Sequence, residues 1–383
     1  MKNVLLVDTN FSSMPIHKYL VKAGFNVYVC GGNIYDYLAK SATLYIKADY
    51  SNLDIINQII KEKHIDYIVP GCNDLSYKIC SALNSDGQFF GLDSPVATET
   101  INNKEKFRTF AIKTGLPVPR VVTLAQVGDI WPLIVKPVDA YSGRGMTIVH
   151  KTEVAELSDA IANAKSFSKS QTCIMEEFVP GQLYSHTAFI SAGAIVADFI
   201  VIEHGTANPF VVDTSRVVFD FAAQMLQDIR DCVLRMTTQL DLGDGLIHTQ
   251  FIANDSTFWL IEVTRRCPGD LYSLLIERST GFPYAQTYAK PFVHQKIDQK
   301  FNFQTQAFVM RHTVSLPDQA LFTDIQFNVP VKIEQFLPLC VTGDNVRQSP
   351  FGRIGLLFAS TQTRAELDDL FVKTLRRELY SIH

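Results

Sequence analysis

The chain has 383 residues, of which 47% are hydrophobic and 19% are charged, and its formal net charge is −4. This composition is typical of a globular protein with buried cores, and a prior of roughly 150 residues per domain predicts two or three domains. The sequence pI near 6.1 argues against the basic surface that nucleic-acid binding requires.

The N-terminal residues and the cysteine spacing exclude several classes of protein. Only four apolar residues, "VLLV", precede Asp8, and no apolar run approaches the length of a membrane span. The seven cysteines are odd in number and contain no C-x-x-C, which indicates neither a disulfide framework nor a zinc ribbon. We therefore expect a cytoplasmic protein that acts on small molecules, with no membrane or nucleic-acid partner.

The first 97 residues alternate between strand and helix patterns. These patterns predict strands at 3–8, 26–30 and 66–71 and helices at 15–23 and 52–62. The order indicates a small parallel α/β domain. The glycine fingerprint of a dinucleotide-binding domain is replaced by "DTNFSSM", which disfavours a dehydrogenase. Asn73 and Asp74 follow the third strand, where open α/β sheets bind ligands, although Asp74 is equally suited to a helix N-cap.

A linker region and a small subdomain are predicted next. A helix at about 102–114 is stopped by Gly115, and residues 98–119 form the link into a second domain. Two short strands, "LIVKP" and "MTIVH", then flank a glycine loop, and a helix begins at Thr152. "CIMEEFVPG" predicts a further strand that ends in two carboxylates and a Pro-Gly turn. This hairpin, helix and strand indicate a lid over residues 120–182.

The glycine loop is a candidate anion site. Lys136 ends the first of its strands and needs an anionic partner, because an unpaired ammonium on an apolar strand is costly. Gly143 and Gly145 allow backbone N–H groups to approach an anion, and Arg144 adds charge at the rim. A polyphosphate meets these requirements. An ordinary glycine-rich turn is the alternative, and the loop taken alone favours that alternative.

The order of these parts resembles the ATP-grasp superfamily, which includes biotin carboxylase, D-alanine:D-alanine ligase, purine-pathway ligases and L-amino-acid ligases. The resemblance covers about residues 1–290. It implies an ATP-grasp fold, of mixed α/β and α+β class, behind a Rossmann-like parallel α/β domain. The expected parts are an N-terminal domain (1–97), a linker (98–119), a lid (120–182), a central subdomain (183–292) and a C-terminal α+β domain (293–383).

The resemblance also implies a nucleotide site for ATP. Lys104 in "NNKEKFR" and Lys136 match the family's two ATP lysines, and Lys136 is expected to pair with phosphate oxygens. In "IMEEFVPG", Glu176 is expected near the adenine, whose edge would pair with backbone groups of residues 177–179. The full set of nucleotide positions is Lys104, Lys136, Ser142, Gly143, Arg144, Gly145, Met146, Glu176, Glu177, Phe178, Val179 and Leu183.

Two departures from the family pattern concern ribose and metal. Leu183 stands where relatives carry a glutamate for the ribose hydroxyls. The metal positions read Gln250, Glu262 and Thr264, with a single carboxylate. Because magnesium accepts several kinds of oxygen ligand and is often held together with substrate phosphates, we expect Mg²⁺, or Mn²⁺, to bind loosely until ATP arrives. A decayed metal site is the alternative.

The segment "EVTRRCPGD" resembles the acceptor pocket of carboxylate-amine ligases. Arg266 and Arg265 are candidates to hold a carboxylate with two parallel hydrogen bonds, and with Lys136 they form the predicted catalytic set. A solvated helix start capped by Asp270 is the alternative for this segment. The irregular stretch at 203–219 is a second candidate for the acceptor site, and a surface loop without function is equally favoured there.

The function that the resemblance implies is an ATP-dependent ligase. A small carboxylate, expected to be an amino acid, would form an acyl phosphate, and an amine would displace the phosphate. Such chemistry needs positioning and charge rather than a nucleophilic side chain, so none of His186, His204 and His248 is assigned as a base. A bicarbonate- or formate-activating enzyme and a non-catalytic ATP-binding module stay open, as does a homodimer.

Overall fold

The computed structural model describes residues 1–128, 130–140, 143–298, 301 and 307–383, with the backbone alone at 152–154. Ser142, which was predicted to contact phosphate, lies outside the described residues. Among the described helices, none is long and apolar enough to cross a lipid bilayer.

The N-terminal domain is the predicted parallel α/β unit. Its strands are β1 (Asn3–Val7), β2 (Asn26–Gly31), β3 (Leu44–Lys47) and β4 (Tyr67–Pro70), and its helices are α1 (Met14–Lys22), α2 (Tyr37–Ser41), α3 (Leu53–Glu62) and α4 (Asp74–Leu83). The strands run parallel in the order β3-β2-β1-β4. Helices cover both faces, so Leu5 and Leu6 point in opposite directions and are both fully buried.

The predicted helix at 102–114 is wrong in its start. The structure has two helices, α5 (Pro95–Asn102) and α6 (Lys104–Lys113), with a break at Asn103. Asn103 has an extended backbone, and its side chain accepts a hydrogen bond from the Lys106 N–H. The break follows from the tendency of asparagine to cap a helix rather than continue one. It makes Lys104 the first residue of α6.

The lid is a three-stranded antiparallel sheet with one covering helix. Its elements are β5 (Leu133–Pro137), β6 (Thr147–Val149), α7 (Leu157–Phe167) and β7 (Cys173–Glu177). The strand order is β6-β5-β7, so Lys136 lies on the central strand. The helix predicted from Thr152 begins as a 3-10 turn at Lys151–Glu156 before α7.

A second, larger sheet forms the centre of the molecule. Its central elements are β8 (Gln182–Ser191), β9 (Ala194–His204), β10 (Thr214–Val218), α8 (Ala223–Gln239), β11 (Gly245–Ala253), β12 (Phe258–Thr264), α9 (Tyr272–Thr280) and α10 (Tyr284–Ala289). The C-terminal elements are β13 (Phe308–Val314), β14 (Ala320–Leu321), β15 (Ile325–Phe327), β16 (Lys332–Pro338), β17 (Asn345–Val346), β18 (Gly355–Thr361), α11 (Arg364–Leu375) and β19 (Tyr380–Ile382).

The C-terminal segment, which was predicted as a separate α+β domain (293–383), shares a sheet with the central subdomain. The sheet order is β12-β11-β8-β9-β10-β13-β18-β16, so three C-terminal strands continue the central sheet. Pairing of β10 with β13 makes the junction, through Thr214 opposite His312 and Ser215 opposite Arg311. The domain boundaries given above stay predictions.

The two faces of this sheet have different partners. Ile190, Ile200 and Ile247 share a core with α5, α6 and α8. Phe189 and Phe199 point the other way and pack with α9 and α10. Because side chains alternate along a strand, Leu183, Glu203, His248 and Gln250 lie on the same face as Phe189 and Phe199, and these four residues line a cavity.

Candidate active site

An open cavity of about 710 Å³ lies among the lid, the central sheet, the N-terminal domain and the C-terminal strands. The predicted residues that line it are Lys104, Lys136, Gly143, Arg144, Met146, Glu177, Phe178, Val179, Leu183, Gln250, Glu262, Thr264 and Arg266. Three other predicted residues, Gly145, Glu176 and Arg265, are described and do not line it. Motifs that are far apart in the chain, from Lys104 to Arg266, thus converge on one cavity.

Lys136 has a carboxylate of the protein as its partner. Its Nζ lies 2.5 Å from the Glu176 Oε2, and the Arg108 Nε lies 2.5 Å from the Oε1. Glu176 is buried and does not line the cavity, and its expected place near the adenine stays a prediction. Burial alone would raise the pKa of Glu176, but attraction to Lys136 and Arg108 lowers it to about 2. The contact of Lys136 with phosphate stays a prediction.

Lys104 joins three parts of the site. It begins α6, and its Nζ donates a hydrogen bond to the Ala140 carbonyl at 2.9 Å, just before the glycine loop. The same Nζ lies 3.9 Å from the Glu262 Oε1 on β12. The side chain is therefore positioned between the loop and the predicted metal residues.

The glycine loop needs glycine for two reasons. Gly143 and Gly145 have φ values of +66° and +69°, a region that side chains disfavour. A Cβ at Gly143 would lie 2.6 Å from the Phe210 carbonyl oxygen, and one at Gly145 would lie 2.8 Å from the Phe167 Cβ. The Arg144 guanidinium lies 5.6 Å from the centre of the Phe351 ring. The loop therefore lies against both the 203–219 segment and the turn before β18.

The hinge after β7 offers fewer backbone groups than predicted. The Glu177 N–H donates to the Arg120 carbonyl and the Phe178 N–H donates to the Pro132 carbonyl, each at 2.9 Å. Within the described chain, no acceptor is found for the Val179 N–H. Of the three predicted adenine-pairing amides, Val179 is thus the one that stays available to a ligand.

The predicted metal residues do lie side by side. Gln250 faces Glu262 across β11 and β12, and His248 faces Thr264. The Gln250 Nε2 donates to the Glu203 Oε2 at 2.8 Å. Among the described residues, no group of three or more Asp, Glu, His or Cys side chains is placed to hold a metal ion. The oxygen donors present suit Mg²⁺ only in combination with phosphate oxygens.

The side chains of Arg265 and Arg266 point in opposite directions and have different partners. Arg265 is 3% exposed, and its guanidinium binds Asp93 and the carbonyls of Gly243 and Leu246. The prediction of a substrate contact for Arg265 is therefore wrong, because adjacent residues in extended chain point to opposite sides. Arg266 lines the cavity, where it forms an ion pair with Asp74 of α4.

Asp74 was assigned by sequence either to a ligand site or to a helix N-cap. The N-cap is Asn73, whose side chain accepts from the Ser76 N–H. Asp74 is the first residue of α4 and lines the cavity. The N-cap alternative for Asp74 is therefore wrong.

Sequence reasoning missed a cluster of charges at the far end of the cavity. Arg311 on β13 donates to the Asp270 carbonyl at 3.1 Å and to the Ser215 Oγ at 2.8 Å. Its buried Nε has no hydrogen-bond partner among the described residues. The Arg353 guanidinium contacts the Asp270 carboxylate. A charge inside the apolar run "FVMRHTV" is the same signal that identified Lys136, and it would have identified Arg311.

The histidines and the 203–219 segment are also placed by the structure. His248 lines the cavity, and burial lowers its pKa to about 3, so it is neutral at pH 7. His186 pairs with Asp198 on the other face of the sheet, and His204 packs against Phe371. Residues 209–212 line the cavity beside the glycine loop.

No protein-family model matches the chain. Three solved structures resemble it over nearly its whole length. The L-amino acid ligase from Bacillus licheniformis has a TM-score of 0.81 and 17% identity and covers 100% of this chain and 98% of its own. The biotin carboxylase domain of the Hydrogenobacter thermophilus 2-oxoglutarate carboxylase, with MgADP and bicarbonate, has a TM-score of 0.76 and 12% identity, with coverages of 100% and 90%.

The third is the N5-carboxyaminoimidazole synthetase from Staphylococcus aureus complexed with ADP, at a TM-score of 0.72 and 12% identity, with coverages of 98% and 97%. At such low identities these similarities establish the fold. The predicted fold class, with its parallel N-terminal sheet and large antiparallel sheet, is confirmed, and the chain has the ATP-grasp fold that its motifs indicated.

Proposed function

We propose that this protein is an ATP-dependent ligase that activates a small carboxylate, an amino acid, as an acyl phosphate and joins it to an amine. The observation that carries the proposal is the composition of the cavity. One end contains Lys104, Lys136, the glycine loop and Glu262, and the other contains paired arginines and carboxylates. A phosphate site beside a carboxylate site is what acyl-phosphate chemistry requires.

The nucleotide would lie between the lid and the central sheet. The Val179 N–H is available for the adenine edge, and the glycine loop and Lys104 supply hydrogen bonds and positive charge for the phosphates. Any divalent cation would be held by Glu262, Gln250 and Thr264 together with phosphate oxygens, and it would neutralise phosphate charge. The solved relatives bound to ADP and MgADP support this assignment.

The other end of the cavity suits an amino acid because it carries both signs of charge. Arg266, Arg311 and Arg353 supply guanidinium groups, and Asp74 and Asp270 supply carboxylates. Guanidinium groups bind carboxylates with two parallel hydrogen bonds. Arg311 is a candidate to hold the incoming carboxylate, because it lines the cavity and its guanidinium is only partly satisfied by the described residues.

The reaction then has two steps. A carboxylate oxygen of the first substrate attacks the γ-phosphorus of ATP, the bond to the bridging oxygen breaks, and ADP leaves. The amine nitrogen attacks the acyl carbon, the bond from that carbon to the phosphate oxygen breaks, and the amine loses a proton. The residues of this chain contribute positioning and charge stabilisation in both steps.

The test is ADP release by the purified protein with Mg-ATP and a panel of amino acids and other small carboxylates, singly and in pairs with amines. Glu262→Gln is the inactive control, because its side chain is 41% exposed and its change should leave the fold intact. Lys78→Gln, in an exposed ion pair with Glu99, is the matched surface control.

ADP release that requires a carboxylate and an amine, and that disappears in Glu262→Gln but not in Lys78→Gln, supports the ligase. ADP release that depends on bicarbonate instead favours the carboxylating alternative, which the bicarbonate-bound relative makes the second candidate. Binding of ATP with no ADP release under any combination contradicts the proposal and favours a non-catalytic module.

A further inference from the structure

The residue expected to recognise ribose is absent at its usual place. Leu183 lies on β8 and lines the cavity, and a leucine side chain accepts no hydrogen bond from a hydroxyl group. An ATP site that lost this carboxylate without replacement would bind ribose by shape alone. The neighbouring strand offers a replacement.

Continued by one residue, the pairing register of β8 and β9 brings Glu203 opposite Leu183. β8 and β9 are antiparallel, with Ser185 opposite Val201 and Tyr184 opposite Ile202, and the next pair in this register is Leu183 and Glu203. Facing residues of an antiparallel pair have Cβ atoms only about 4.5–5.5 Å apart. Glu203 lines the same cavity as Leu183. The Glu203 side chain therefore starts at this level of the sheet, one strand away, and its carboxylate reaches toward Ser185 and Gln250.

The Glu203 carboxylate is held in place and has remaining acceptor capacity. Its Oε1 accepts a hydrogen bond from the Ser185 Oγ at 3.1 Å, and its Oε2 accepts one from the Gln250 Nε2 at 2.8 Å. The residue is 3% exposed. A carboxylate has about four lone-pair sites, so two such bonds leave sites for ligand hydroxyls. A fixed acceptor costs little side-chain entropy when a ligand binds.

The position of Glu203 along the sheet corresponds to the position of ribose in ATP. Residues that face one another across neighbouring strands form a row across the sheet. Val179 precedes β8, the row of Leu183 and Glu203 follows it, and the row of Ser185, Gln250 and Glu262 comes next. Successive rows on one face are about 6.6–6.8 Å apart. If adenine binds at the hinge and the phosphates bind near Glu262, the ribose lies between these two points. The ribose would then be close to Glu203.

We propose that Glu203 recognises the ribose hydroxyls of the nucleotide in place of the carboxylate missing at position 183. The proposal rests on the nucleotide site of the proposed function, but not on turnover. Glu203 thus acts as a specificity residue that favours ribonucleotides over nucleotides without hydroxyls.

The experiment measures dissociation constants for ATP and 2′,3′-dideoxy-ATP at fixed magnesium by calorimetry. The full-length variants are Glu203→Gln, Glu203→Leu and the exchange pair Leu183→Glu with Glu203→Leu. If Glu203→Leu fails to fold, Glu203→Gln serves instead: it keeps the shape and can keep the hydrogen bond from the Ser185 Oγ, and its amide can bond Gln250 only if the Gln250 amide turns over. We expect the parent to prefer ATP about tenfold, Glu203→Leu to lose that preference, and the exchange pair to regain it.

Each alternative result has a defined meaning. Equal affinity of the parent for the two nucleotides, or an equal weakening of both by folded Glu203 variants, overturns the proposal. So does a rise in the magnesium concentration needed for ATP binding with an unchanged ATP preference, which would assign the carboxylate to the metal. If the protein releases no ADP but prefers ATP in a way that depends on Glu203, the proposed ligase activity is contradicted and the role of Glu203 in ribose recognition is still supported.

Discussion

Arg266 and Asp74 form a two-pronged ion pair that connects the end of β12 with the first turn of α4. The Arg266 Nε lies 2.9 Å from one carboxylate oxygen of Asp74, and the Nη2 lies 3.2 Å from the other. The N-terminal domain therefore contributes directly to the wall of the cavity. A substrate carboxylate that uses Arg266 must share the guanidinium with Asp74 or displace it.

Asp74→Asn should weaken the connection between the two domains. The amide keeps the shape but loses the charge, and charge-assisted hydrogen bonds of this kind contribute about 1.5–3 kcal/mol. We expect the free energy of unfolding in urea to fall by about that amount. Lys78→Gln removes an exposed ion pair with Glu99 and should cost at most about 1 kcal/mol. Equal small losses in the two variants would contradict a structural role for the Asp74 pair.

Arg265→Lys and Arg266→Lys should have different effects. Lysine cannot reproduce the contacts of Arg265 with Asp93 and two carbonyls, so Arg265→Lys should lower the free energy of unfolding by about 2–3 kcal/mol. Under conditions in which Arg265→Lys is folded, its KM for the carboxylate substrate should equal that of the parent protein. Arg266→Lys should instead raise that KM. Urea unfolding and steady-state kinetics measure the two effects, and a similar KM increase in both variants would restore Arg265 to the catalytic set.

Gly143→Ala should impair ATP binding more than it impairs stability. The methyl group meets the Phe210 carbonyl and also carries the cost of a positive φ, about 1–2 kcal/mol. We expect the KM for ATP to rise about tenfold. Gly193→Ala is the matched control, because Gly193 has φ +75° and nothing within 4 Å of the added Cβ. If Gly193→Ala raised the KM for ATP equally, the effect would come from general strain and not from the loop.

Glu176 should make the stability of the protein depend on pH in the acid range. Its pKa in the folded state is about 2, below its ordinary value of 4.5, because Lys136 and Arg108 outweigh the effect of burial. Because the pKa is lower in the folded state than in the unfolded state, the ionised Glu176 stabilises the fold. This stabilisation is fully present above about pH 4.5 and is lost as the pH falls toward 2. The difference corresponds to something on the order of 3 kcal/mol.

Urea unfolding at several pH values measures that contribution when the parent is compared with Glu176→Gln. The gap in unfolding free energy between the two proteins should be constant from pH 7 to about 5 and should shrink below that. A gap that stays constant down to pH 3 would show that the carboxylate is not stabilised by these two cations.

The sequence by itself determined the fold and part of the cavity lining. Apolar periodicity predicted β1, β2, β4, α1 and α3 of the N-terminal domain but not β3, α2 or α4. The glycine, lysine and carboxylate motifs pointed to the glycine loop, the hinge and Glu262, all of which have residues that line the cavity. These features depend on residues close together in the chain, so local patterns report them. The break at Asn103 and the 3-10 start before α7 are two local departures from the predicted elements.

Only the tertiary structure decided which side chain meets which. Lys136 pairs with Glu176 rather than facing the cavity alone, Arg265 turns away from Arg266, and β13 brings Arg311 to the site. Each outcome depends on strand register or on pairing between segments far apart in the chain. A shift of one residue in register reverses the face of every side chain. The sequence shows which residues are charged, but the pairing of the strands determines which residues these charges contact.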